Sequence, residues 1–157
     1  VSYCDTKKGA NVAFVKMELQ GFDELQKNFE ALASDAESAA VERKIVKRCR
    51  DIAAEKMRTK VPKSRDNTKS GKKGYRPSGH AADSVPVSGI RQQGGHPSAT
   101  VGWEKADNDQ FFYVKFVEWG TTKMKPHDFI YSTIQECWSE FDAIAEKEIQ
   151  AFVESKI

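Results

Sequence analysis

The sequence predicts an α+β fold: a small, mostly antiparallel sheet packed against a long N-terminal helical region and a long C-terminal helix. Three observations predict it. Apolar residues recur at helical spacing from Val41 to Met57 and again from Ile130 to Val153. Between them the period switches to two on either side of Gly94-Gly95, the pattern of a β-hairpin. Helical and strand-like stretches are segregated instead of alternating, which favours helices on one side of an antiparallel sheet.

Taken in order, Val12 to Leu19 alternates loosely and suits a first strand, which Gly21 breaks. Phe22, Leu25, Phe29 and Leu32 make a short amphipathic helix. Ser34-Asp35-Ala36-Glu37 is an S-x-x-E capping box, which starts a second helix or re-caps a kinked one. Val41, Ile45, Cys49, Ile52, Ala53 and Met57 then form one apolar stripe. That helix should stop near Lys60, because Pro62 disfavours helix in the residue before it. Residues 62–79 hold almost no apolar side chain and read as a basic loop, long for a compact domain. Ser84 to Arg91 and Ser98 to Trp103 are the hairpin strands, with Pro86 placing the first at a sheet edge. Phe111 to Trp119 is apolar on both faces, as a central buried strand would be, and Gly120-Thr121-Thr122 ends it. After Pro126, a stripe of Ile130, Ile134, Cys137, Trp138, Phe141, Ile144, Ile149, Phe152 and Val153 predicts a helix from Asp128 to about Glu154.

The 157 residues suit one domain, with Met17 an alternative start that makes residues 1–16 an extension to a domain of 17–157. A composition 39% hydrophobic and 31% charged is that of a globular chain, not a disordered or membrane one. The longest apolar run is too short to span a bilayer, and no apolar segment follows Lys7 and Lys8 as a secretory signal would require. Cys4, Cys49 and Cys137 are odd in number and form no CxxC pair, so all three are expected to be reduced thiols.

The net charge of +2 hides an asymmetry. Fourteen Lys and Arg between Arg43 and Arg76 face only Asp51, Glu55 and Asp66, which leaves this segment at +11. Residues 1–42 carry −4 and residues 104–157 carry −5. Such a chain can attract a polyanion with its middle or stack head to tail with copies of itself.

Catalytic and metal chemistry find little support. His80, His96 and His127 have no metal-type partner at ligand spacing, although His80 and Asp83 are close in sequence. Gly71-Lys72-Lys73-Gly74 lacks both the preceding strand and the GK[ST] ending of a phosphate-binding loop. Glu136, Glu140, Glu146, Glu148 and Glu154 lie off the apolar stripe of the last helix and suit a solvated face or a protein interface. Glu118 differs: between Val117 and Trp119 an unpaired charge would be costly, so it faces an exposed edge or meets a cation. Gly120 permits a positive-φ turn, and Trp119 anchors either the last helix or a subunit contact. The basic stretch from Lys56 to Arg76 could contact phosphates, but only Tyr75 is available there for base stacking.

Several segments together resemble one family. They are Met17-Glu18-Leu19-Gln20-Gly21-Phe22-Asp23-Glu24-Leu25, the long helix ending in Val61-Pro62, and Ser78-Gly79-His80-Ala81-Ala82-Asp83-Ser84-Val85. The most specific is Tyr113-Val114-Lys115-Phe116-Val117-Glu118-Trp119-Gly120-Thr121-Thr122-Lys123-Met124, followed by Pro126 and Phe129-Ile130. From about Met17 to Ala145 the chain resembles the tail-component family of long-tailed bacteriophages (siphophages), the neck or tail-completion proteins of the head–tail junction. Ser78 stands where that family has Thr, Ala81 or Ala82 where Leu is common, and His127-Asp128 replaces the second Pro region.

The resemblance implies a structural virion protein with no enzymatic activity and no cofactor. It would be made in the host bacterial cytoplasm, with no membrane partner, and form a homo-oligomeric ring of about six or twelve copies. Its partners would be head-closure, tail-terminator or tail-tube proteins, with genomic DNA passing through the channel. On that implication Lys60, Lys63, Arg65, Lys69, Lys72, Lys73 and Arg76 contact DNA or an adjoining ring. Glu118, Trp119, Gly120, Thr121 and Lys123 form a structural or subunit-interface motif. The competing reading is a basic nucleic-acid-binding module built on Lys56 to Arg76.

Overall fold

The computed structural model describes residues 13–18, 34–65, 79–93, 95–104 and 111–156. The predicted helix from Phe22 to Leu32, and Lys69, Lys72, Lys73 and Arg76 of the basic loop, lie outside them. The described elements are β1 (Ala13–Glu18), α1 (Asp35–Lys60), a 3₁₀ turn (Ala81–Ser84), β2 (Arg91–Gln93), β3 (His96–Trp103), α2 (Val114–Trp119) and α3 (Phe129–Glu154).

Local signals account for the ends of α1. The Glu37 carboxylate accepts both the backbone N–H and the hydroxyl of Ser34 at 3.1 Å, so the capping box opens the helix as expected. At the other end Val61 is extended, as the residue before a proline prefers, and its N–H closes the last turn on the Met57 carbonyl at 3.0 Å. Arg58 and Lys60 sit in that last turn, where cations complement the helix dipole.

The sheet has the order β1–β3–β2 and is antiparallel throughout. β1 pairs with β3 from Ala13 opposite Trp103 to Glu18 opposite Ser98, and β2 pairs with the start of β3 from Arg91 opposite Ser98. The hairpin turns at Gly95, between β2 and β3. Its first strand is shorter than predicted: Ala81 to Ser84 is a 3₁₀ turn, and the regular ladder begins only at Arg91. Pro86 interrupts the pairing at its own position. It has no N–H to donate, so it gives only its carbonyl to Gly102 (3.0 Å), and Val87 makes an isolated bridge to Val101.

The structure overturns the predicted central strand at Phe111 to Trp119. This segment is a turn followed by the short helix α2, and the central strand is β3. Phe111, Val114 and Glu118 are buried while Phe112 and Phe116 are exposed, a three-to-four residue period that alternation by two cannot produce. Conversely β3 is covered on both faces: Pro97, Ser98, Ala99, Val101, Gly102 and Trp103 are all buried. A short apolar run does not by itself distinguish a buried strand from a helical segment.

The core lies between the sheet and the two long helices. Ile45, Cys49, Ala53 and Met57 of α1 join Val101 and Trp103 of β3 and Phe129, Ile130, Ile134, Cys137 and Phe141 of α3 in one cluster. Trp103 and Phe129, both almost fully buried, meet edge to face with ring centroids 6.2 Å apart. Trp138 departs from its predicted place in the apolar stripe and remains 41% exposed. Cys49 and Cys137 are buried free thiols, and burial, with the neighbouring Cys137, pushes the Cys49 thiol up to about 12. Both therefore behave as small apolar side chains rather than nucleophiles. Among the described residues no helix is long and apolar enough to cross a membrane.

Replacing Phe129 by Ala should cost about 3–5 kcal/mol, lowering the urea midpoint without changing the slope. A loss below about 1 kcal/mol would show that the Trp103–Phe129 contact is not part of the cooperative core.

Candidate functional site

Two regions gather the residues singled out in the sequence. The first is the basic edge of α1. Lys44 and Arg48 both pair with Glu148, which is 5% exposed. About two turns further along, Lys56 meets Glu140 at 2.6 Å, and Lys60 meets Glu136 at 2.5 Å and the Ser132 hydroxyl at 2.6 Å. Partners ascend along α1 as they descend along α3, which fixes the two helices as antiparallel. Lys156, just beyond α3, completes the series on Glu37 at 2.6 Å. The hydrogen bond from Lys60, ahead of its charge, holds Glu136 below the usual carboxylate range.

This geometry divides the predicted basic residues. Lys60 is drawn into the helix–helix contact, with its side chain only 18% exposed. Lys63 is exposed but salt-bridged to Asp83 at 2.6 Å, and Arg65 is exposed. Glu136 and Glu140 stay exposed while pairing with α1, as a solvated face allows, and only Glu148 is buried. Arg58, Lys60, Lys63, Asp83 and His127 line an open groove of about 860 Å³ where α1 ends and α3 begins. Among the described residues no group of three or more His, Cys, Asp or Glu is placed to hold a metal ion.

The second region is the junction from Glu118 to Asp128. Among the described residues, Glu118 is neither on an exposed edge nor paired with a cation of this chain. It is 4% exposed, and its carboxylate accepts the Ile130 N–H at 3.1 Å, with the N–H groups of Phe129 and Tyr131 also directed at it. Glu118 thus caps α3 from outside the helix. The cap is needed because Asp128, at the usual capping position, is left-handed (φ 46°) and makes no side-chain cap. Two backbone bonds, His127 N–H to Val117 O at 3.0 Å and Asp128 N–H to Glu118 O at 3.3 Å, hold the same junction.

Burial raises the Glu118 pKa above its ordinary value, the Asp128 charge adds to this, and the helix amides oppose it. The folded state therefore holds this proton more tightly than the unfolded chain. Its stabilising contribution is complete below the ordinary carboxylate pKa and is lost as pH rises through the raised one.

Gly120 reverses the chain so that α3 can return to Glu118. Its φ is 73°, and a Cβ there would lie 2.6 Å from the Met124 carbonyl oxygen and 2.7 Å from the Pro126 nitrogen. Thr121 closes the turn with N–H to Met124 O at 2.8 Å, and its hydroxyl accepts the Lys123 N–H at 3.2 Å. Trp119 is half-buried and Lys123 is exposed at the tip. The sequence showed that Glu118 needed a partner, but α3 supplies it through main-chain atoms that carry no sequence signature. Phe112, Phe116, Tyr131 and Trp138 are exposed aromatics that sequence reasoning did not select.

Residues 23–120 match the family model described as "Bacteriophage HK97-gp10, putative tail-component". No curated protein and no solved structure matches the chain.

Glu118→Ala should lower stability by about 1–3 kcal/mol by stripping the α3 amides of their acceptor. In Glu118→Gln the stability relative to the parent should improve as pH rises from about 4 to about 7, since the parent alone loses the Glu118 contribution. A flat difference across that range, measured by denaturant titration at each pH, would mean that Glu118 does not titrate abnormally. Gly120→Ala should cost about 1–3 kcal/mol through steric and positive-φ strain, and an unchanged melting temperature would contradict the tight turn.

Proposed function

The chain belongs to the HK97-gp10-like family of bacteriophage tail components, and from that premise we propose that it forms a homo-oligomeric ring in the neck or upper tail of a long-tailed phage. The family match over residues 23–120 carries this reading. Its ring would join the head-closure complex to the tail through tail-terminator or tail-tube proteins. Ring closure requires two different, complementary surfaces on each subunit. The chemistry of the conspicuous residues supports a structural role: Glu118 is used as a helix cap, and Cys49 and Cys137 are high-pKa core thiols.

The nucleic-acid reading draws on the Lys56–Arg76 cluster, of which Arg58, Lys60 and Lys63 line the groove and Arg65 is exposed. The ion pairs weaken it, because Lys44, Arg48, Lys56 and Lys60 already neutralise carboxylates of α3. DNA contact fits better as an accessory of the ring's channel than as the main activity.

Gold-labelled antibody against this chain, viewed on purified particles by electron microscopy, should decorate the head–tail junction. Label along the tail or at its far tip would overturn the neck assignment. Unlabelled particles with an accessible neck, together with salt-sensitive binding of the purified chain to duplex DNA, would favour the nucleic-acid module.

A further inference from the structure

We draw no further inference here: the strongest candidate, the exposed aromatic strip of Tyr131 and Trp138 on α3, carries none because nothing in the structure shows what covers it.

Discussion

The antiparallel contact between α1 and α3 is the constraint on which the rest of the structure depends. Each helix has 26 residues and so runs for about 39 Å. Ile45, Cys49, Ala53 and Met57 face the core from one, and Ile130, Ile134, Cys137 and Phe141 from the other. Burial of these side chains supplies most of the stabilisation, since exposed ion pairs contribute little. The charges instead select the register. A slide by one turn would carry either Lys44 or Arg48 out of reach of Glu148 and leave that buried carboxylate with one cation instead of two.

This arrangement fixes where α3 must begin, and the junction from Glu118 to Asp128 is shaped to meet it. The start of α3 is buried beneath Trp103 and beside α2, so its free amide groups cannot rely on water. Glu118 supplies an acceptor, and the Gly120 turn brings the chain back within reach. Glu118 and Gly120, expected in a structural or subunit-interface motif, thus shape the start of α3. The aromatic neighbours Phe112 and Phe116 are left at the surface because the same short helix turns Phe111, Val114 and Glu118 inward.

Charge follows the same logic. The +11 segment suggests a surface for polyanions, yet its Lys44, Arg48, Lys56 and Lys60 pair with carboxylates of α3. Among the described residues near the end of α1, Arg58 and Arg65 stay outward, while Lys63 pairs with Asp83 beside the groove that also holds His127. Net charge counted along a sequence measures attraction only for charges that the fold leaves unpaired.

Much of the architecture was legible in the residues. Helical periodicity, the Ser34–Glu37 box and Pro62 bounded α1, the stripe from Ile130 onward located α3, and Gly94-Gly95 located the hairpin. These are local properties, set by spacing and by the conformational preferences of Pro, Gly and capping side chains. Phe111 to Trp119 was misread because a short run of apolar residues satisfies both periods until its neighbours are known. Only the tertiary structure decided that β3, and not this segment, takes the centre of the sheet. It also decided that Glu118 caps a helix ten residues downstream, and that Lys60 belongs to Glu136. Those outcomes depend on groups distant in sequence being brought together, and a main-chain amide or a salt-bridge partner leaves no periodic trace in the chain that will meet it.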